Sequence, residues 1–192
     1  MSTKHFKGQK AAILVENGFC EREFIQSQEA LTSLGFLCRI ISSQDKIVNA
    51  WNELGGKSSD WGGQYAPNET INTAQPSNYE ILVIPGGKRS IEKLKLCNGL
   101  KSFLSGFVNT RKPVLLYNAA HDLLTDAGLM DSDKIPGVPA VMATNGNIIS
   151  IFSYADCSDA ICNTICKIMS ADRACQKQPE SVGTEKRPYK AA

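Results

Sequence analysis

Tyr79-Glu80-Ile81-Leu82-Val83-Ile84-Pro85-Gly86-Gly87 carries an unbroken apolar run, Ile81 to Ile84, closed by Pro-Gly-Gly. A run this short, without polar alternation, suits a strand buried on both faces of a parallel sheet. The chain repeats the pattern on either side. Ala11-Ala-Ile-Leu-Val15 is closed by Asn17-Gly18-Phe19, and Pro113-Val-Leu-Leu-Tyr117 is followed by Asn118-Ala-Ala-His121. Phe36 to Ile41 reads as a further strand.

The intervening segments change period. From Glu21, the residues Phe24, Leu31 and Leu34 share one helical face, and Gly35 stands where a C-cap belongs. Ser90 to Val108 reads as helix broken near Cys97-Asn98-Gly99. A further helix runs through Leu124 to Ala127 with Gly128 as its cap, and Asp156 to Met169 forms the last. Val141 to Ser150 has the signature of a hairpin around Asn145-Gly146. Strands alternating with helices predict an α/β three-layer sandwich, its mostly parallel sheet flanked by helices.

Asp45 to Asn78 departs from this rhythm. It is rich in Gly, Ser, Asn and Asp, with Trp51 and Trp61 as isolated aromatics. A loop of that length is functional or holds small strands of its own. Residues 1–175 read as a single domain. Residues 176–192 lack apolar periodicity and read as a polar, mobile tail.

Composition narrows the function classes. The 192 residues carry a net charge of +2, and the stretch from Ala171 onward, with five basic and three acidic residues, accounts for all of it. A neutral body offers no basic stripe for nucleic acid. No apolar run approaches a membrane span, and residues 1–10 lack the pattern of a signal peptide. Seven cysteines, an odd count, fit reduced thiols in a cytoplasmic protein better than a secreted disulfide framework.

In an open α/β sheet, ligands bind outside the carboxyl ends of the strands. That directs attention to Glu16 to Glu23, Pro85 to Arg89 and Asn118 to Asp122. These segments together resemble the ThiJ/PfpI superfamily, which includes the PfpI-type intracellular proteases and has a flavodoxin-like fold of the class I glutamine amidotransferase type. Asn17-Gly-Phe-Cys-Glu-Arg-Glu23 matches the family's Asp-Gly-Phe-Glu-Glu-Ile-Glu stretch. Tyr79 to Gly87 matches its third strand and Gly-Gly turn. Lys112 to Leu124 stands in the place of its strand, elbow and helix, and Asn145-Gly-Asn-Ile-Ile149 with Asp156 in the place of its hairpin segment. Trp51 and Asp60-Trp61-Gly62 are similar to the PfpI branch.

The resemblance implies a nucleophile elbow at the third of these segments. There, a strand turning into a helix presents a cysteine whose thiolate is stabilised by the helix N-terminus. It also implies an assisting histidine and a first-loop glutamate. The Gly86-Gly87 turn would then supply backbone N–H groups resembling an oxyanion hole. At the decisive position the chain departs. Asn118 stands where the family has cysteine, Ala119 where it has histidine, and Phe152 in place of an arginine after the hairpin. An amide is a very poor nucleophile. C-terminal domains of large-subunit catalases are similar in keeping the fold without the cysteine.

Each retained residue has two readings. Gly86 and Gly87 serve the oxyanion or merely permit a turn. Glu23 is a site carboxylate or an ordinary first-turn acid favoured by the helix dipole. If it faces the pocket, the Asn118 amide can donate to it and let it stay ionised. Cys20, beside the pocket, is a relocated nucleophile, a redox sensor or a small side chain in a tight turn. His121 is a base or zinc ligand pairing with Cys20, Glu23 or Asp122, or a surface or capping residue. Cys157, Cys162 and Cys166 read as small core hydrophobes, because their spacing lacks the knuckle of a structural zinc site. No metal and no cofactor is expected.

Three functions follow from this reading. The first is a binding, regulatory or assembly module that has lost the nucleophile. As the resemblance implies, it would form homo-oligomers, dimers or hexamers, with Trp51, Trp61 and Tyr65 at the contact and a small-molecule ligand at the strand ends. The second is a divergent hydrolase of peptides, amides, or aldehydes and their protein adducts, using Cys20 or Glu23 with His121. The third is a redox-sensing thiol at Cys20.

Overall fold

The computed structural model describes residues 6–52, 60–131, 142–152 and 158–176. The first half holds β1 (Lys10–Leu14), β2 (Phe19–Cys20), α1 (Glu21–Leu34), β3 (Leu37–Ser42), β4 (Val48–Asn52), β5 (Asp60–Tyr65) and β6 (Glu69–Thr70). After it come β7 (Ile81–Ile84), α2 (Lys88–Lys95), α3 (Leu100–Val108), β8 (Val114–Tyr117) and α4 (His121–Asp126). The chain then forms β9 (Met142–Asn145), β10 (Ile148–Ile151) and α5 (Ser158–Gln176).

Among the described residues, one sheet has the order β6-β3-β1-β7-β8-β10-β9, and only β9 runs antiparallel to its neighbour. The five strands β3, β1, β7, β8 and β10 give the flavodoxin-like order, in which the chain reverses its direction of travel across the sheet beside β1. The quoted Ile81–Ile84 run lies at the middle of this sheet. Val83 is opposite Ile13 on one side and Leu115 on the other.

The absence of alternation in these strands has a direct cause. Ala11, Ile13, Val83, Leu115 and Tyr117 pack on one face with Phe24 and Leu31 of α1 and Ile161, Ile165 and Met169 of α5. Ala12, Leu14, Leu82, Ile84, Val114 and Leu116 pack on the other face with Ile91, Leu94, Phe103, Leu104 and Phe107 of α2 and α3. Neither face meets water, so every position is apolar.

Punctuation in the sequence ends the elements where expected. Gly35 adopts φ 98° and donates its N–H back to Leu31 and Thr32, closing α1. The break near Cys97-Asn98-Gly99 separates α2 from α3. Asn145 and Ile148 pair across the tip of the β9–β10 hairpin. Cys162 and Cys166 pack beside the core, and the Cys162 thiol donates to the Ala30 carbonyl at 3.5 Å. Cys157, Asp156 and the tail from residue 177 lie outside the described residues.

The Gly- and Asn-rich segment contains small strands after all. β2, β4 and β5 form a second sheet, β2 parallel to β4 and β4 antiparallel to β5. It sits over the start of α1, where Glu21 accepts the Gly63 N–H (2.7 Å) and the Tyr65 hydroxyl (2.9 Å). Among the described residues no helix is long and apolar enough to cross a membrane.

Candidate functional site

Parallel strands bring the ends of β1, β7 and β8 to one edge of the sheet. There the first loop and the Pro-Gly-Gly turn are bonded directly, the Cys20 N–H donating to the Gly86 carbonyl at 3.0 Å. This contact dictates both glycines. A Cβ on Gly86 would lie 2.9 Å from Glu23 Oε2 and 3.2 Å from the Tyr117 carbonyl. A Cβ on Gly87, whose φ is +103°, would lie 2.4 Å from the Gly18 carbonyl oxygen. Close approach, and not only turn geometry, excludes a side chain there.

Glu23 lies in the first turn of α1, facing inward, with 2% of its surface exposed. Its Oε2 accepts the Gly86 N–H at 2.6 Å, and its Oε1 accepts the Asn118 side-chain N–H at 2.5 Å. Asn118 holds the elbow between β8 and α4 with φ +43°, a left-handed conformation that asparagine tolerates better than most residues. Asn118-Ala119-Ala120 form a single 3-10 turn, and Asn118 and Ala119 are half-buried. Behind the elbow, Ser27 donates to the Glu23 carbonyl (2.7 Å) and pairs with the Tyr117 hydroxyl (2.9 Å), tying α1 to the end of β8.

His121 is not the surface residue that its position at a helix start suggests. It is 3% exposed, and its ring stacks on Phe152 at 4.8 Å and 10°. Its Nδ1 bonds to the Asn118 carbonyl at 2.5 Å, while Nε2 is buried without a hydrogen-bond partner among the described residues. The ring nitrogens therefore bond to none of Cys20, Glu23 or Asp122, the partners proposed from sequence. Asp122 instead faces Lys95 at 3.8 Å. Burial pushes the imidazole pKa below its ordinary value, outweighing the bond to Asn118 and the nearby Asp122. The stack on Phe152 fixes the plane of this ring.

The oxyanion reading of the glycine turn also changes. The Gly86 N–H is taken by Glu23, so as placed it does not face a substrate oxygen. Cys20 is 2% exposed at the junction of β2 and α1. Burial pushes the thiols of Cys38, Cys97 and Cys166 upward, away from thiolate reactivity. Tyr65, an expected contact residue, turns inward against Phe19 and Phe24, and burial and its bond to Glu21 raise its phenol to about 12. Trp61 stays 55% exposed and meets Trp51 edge-on, with the Arg89 guanidinium 4.1 Å from the Trp51 ring.

Sequence reasoning missed Glu16. It is 5% exposed just beyond β1 and accepts hydrogen bonds from the Asn17 backbone (2.9 Å), the Asn17 amide (3.0 Å), Ser42 (3.1 Å) and Ser43. Asn17 passes the connection on to Asn49 of β4 at 2.8 Å. An acid directly after a fully apolar strand was the available signal. Burial raises the Glu16 pKa, but the four hydrogen bonds outweigh it, leaving the pKa below its ordinary 4.5. Its charged form therefore stabilises the fold above pH 4.5, and that contribution is lost as pH falls through the lower folded value. Thermal melts across acidic pH are expected to show a shallower acid limb for Glu16→Gln than for the parent. At neutral pH the variant should also lose about 1–3 kcal/mol. Parallel acid limbs would show that Glu16 is not charged in the fold.

A family model described as the DJ-1/PfpI family matches residues 9–156. Among solved structures, a ThiJ/PfpI domain protein from Brachyspira murdochii superposes with a TM-score of 0.67 at 14% identity, covering 86% of this chain and 98% of that one. A DJ-1 superfamily protein from Salmonella typhimurium gives 0.68 at 16%, covering 89% and 100%. A two-domain protein from Anabaena variabilis, with DJ-1/ThiJ/PfpI-like and ferritin-like domains, gives 0.68 at 19% and 84% coverage of this chain. The chain spans 48% of that protein's length. None of the curated protein sequences gives a significant match.

Proposed function

The chain belongs to the DJ-1/PfpI family, and from that premise we propose that it is a member without the cysteine nucleophile, working as a binding, regulatory or assembly module. One observation carries the reading. The elbow residue is Asn118, and its amide is turned onto the Glu23 carboxylate at 2.5 Å. An amide nitrogen whose lone pair is delocalised into its carbonyl does not attack an acyl or carbonyl carbon, and here its N–H is engaged as a donor. The elbow is kept as a shape, and the residue on it acts as a hydrogen-bonding group. The C-terminal domains of large-subunit catalases supply a precedent by resemblance.

The proposal extends to a cytoplasmic homo-oligomer, in keeping with the odd cysteine count, with a small molecule at the strand ends. Exposed Trp61 beside Arg89 supports a contact on the second sheet. Sedimentation that gives a monomer at every concentration would remove the assembly part.

The reading is tested by alkylating the native protein with iodoacetamide at neutral pH and mapping the modified thiols by mass spectrometry. Slow labelling that spares buried Cys20 is expected, together with no turnover of methylglyoxal or a chromogenic peptide. Fast, selective labelling of Cys20 with turnover that Cys20→Ser abolishes would establish the divergent hydrolase instead. A peroxide-dependent mass shift confined to Cys20 would establish the redox sensor.

A further inference from the structure

The chain carries three Asn-Gly pairs, Asn17-Gly18, Asn98-Gly99 and Asn145-Gly146. This dipeptide has a chemistry of its own. Glycine puts no side chain in the way when its backbone nitrogen approaches the asparagine Cγ, and the two can close a five-membered ring. Whether they do depends on how firmly the fold holds them apart.

Asn17-Gly18 is held firmly. Asn17 Nδ2 donates to Glu16 Oε1 at 3.0 Å, and its Oδ1 accepts the Asn49 backbone N–H at 2.8 Å and the Asn49 amide at 3.0 Å. The Gly18 N–H, the group that would attack, is buried and donates to the Asn49 carbonyl at 2.8 Å. A new carboxylate at this place would also stand beside that of Glu16. Asn145 belongs to β9, whose register sets it opposite Ile148, so ring closure there would have to open the end of the hairpin.

Asn98-Gly99 is different. Both residues are exposed, in the turn between α2 and α3. Among the described residues no hydrogen bond engages the Asn98 side chain or the Gly99 N–H. The turn is closed by the Leu100 N–H on the Cys97 carbonyl at a long 3.3 Å. Lys93 and Lys95 lie in the last turn of α2, Lys101 follows Leu100, and the first turn of α3 holds no acid. A carboxylate created at position 98 therefore forms in a basic stretch, ahead of the positive end of a helix.

We infer that Asn98 is a site of covalent modification, deamidating through a succinimide to isoaspartate while the fold protects Asn17. The Gly99 backbone nitrogen gives its proton to solvent base and bonds to Asn98 Cγ. The Cγ–Nδ2 bond breaks, and the side-chain nitrogen leaves as ammonia with a proton from solvent. Water then opens the ring. Attack at Cγ breaks the new bond and leaves aspartate. Attack at the main-chain carbonyl breaks the original peptide bond and leaves isoaspartate, with the main chain rerouted through Cβ and Cγ. Ammonia leaves, water enters, and nothing is oxidised or reduced. Each event lowers the chain's charge of +2 by one, and the isoaspartate lengthens the junction of α2 and α3 by one carbon. None of this depends on what the elbow binds.

The test ages the full chain at mildly alkaline pH and physiological temperature. The protein is then digested in mild acid, and electron-transfer mass spectrometry separates isoaspartate from aspartate in each peptide. Conversion at Asn98 is expected to be the fastest of the three pairs, ahead of Asn17 by about tenfold or more, the worth of one hydrogen bond that must break. In urea strong enough to unfold the chain, the Asn17 and Asn98 rates should converge, because only the local dipeptide is then left. An isoaspartyl carboxyl methyltransferase, given a labelled methylsulfonium donor, should label the peptide holding position 98 in proportion to its age. Equal rates at Asn17 and Asn98 in the folded chain, or a faster rate at Asn145, would overturn the inference. So would aspartate without isoaspartate at position 98, which would mean direct hydrolysis and no ring. The rates come from the unmutated chain, so the outcome rests on no variant's folding.

Discussion

Gly87→Ala is expected to destabilise the protein by about 3–5 kcal/mol, near the upper end for single substitutions. Two causes add. The backbone at this residue has φ +103°, outside the range L-residues adopt cheaply. The added carbon would also meet three backbone atoms of the first loop, at 2.4 Å from the Gly18 carbonyl oxygen and 2.9 Å from both Cys20 N and Phe19 Cα. Backbone cannot swing aside as a side-chain tip does. To make room, the first loop would have to give up the 3.0 Å bond from the Cys20 N–H to Gly86 and the pairing of β2 with β4. Gly146→Ala is the matched control, with φ +61° and nothing within 4 Å of its added carbon, and should cost only about 1–2 kcal/mol. Urea denaturation of the two variants checks this. Equal losses would mean that φ alone matters and that the two loops do not press on each other.

Asn118→Asp should produce a comparable loss at neutral pH that disappears in acid. The change is nearly isosteric, but it replaces an N–H donor at 2.5 Å from Glu23 with a second carboxylate oxygen, beside a residue 2% exposed. Two carboxylates in one buried site cannot both ionise, so the pair must hold a proton with a raised pKa. That proton costs about 3 kcal/mol at pH 7 if the shared pKa is held some two units above the unfolded one. With the folded pKa raised, stability is fully present below the ordinary carboxylate range and is lost as pH rises through the shared value. Melting curves of parent and variant should therefore converge in acid and diverge toward neutrality. Glu16 contributes the opposite slope to both proteins and cancels in their difference. A difference independent of pH would show that the Asn118 amide does not face Glu23.

Much of the fold was legible in the chain itself. Ala11 to Val15, Ile81 to Ile84 and Pro113 to Tyr117 read as buried strands because burial on both faces leaves no place for a polar residue. Gly35 and Gly99 read as stops because few other residues adopt their φ of 98° and 86°. The second sheet was harder. Asp60-Trp-Gly-Gly-Gln-Tyr65 shows no strand pattern, since its pairing depends on Glu21 from a distant helix and on Arg89 stacked over Trp51.

The site divides the same way. Sequence alone determined which residue occupies the elbow, since identity is a local fact, and the chemistry of an amide follows from it. It also supplied the Glu23–Asn118 pairing as a possibility. Only the tertiary structure decided that the Gly86 N–H belongs to Glu23, that His121 is buried and stacked on Phe152, and that Glu16 gathers four hydrogen bonds. Those outcomes depend on segments distant in the chain, such as Glu23 and Gly86, 63 residues apart, meeting at one sheet edge. A hydrogen bond is short and directional, so its partner is set by that meeting and leaves no trace in either residue's own neighbourhood in the chain.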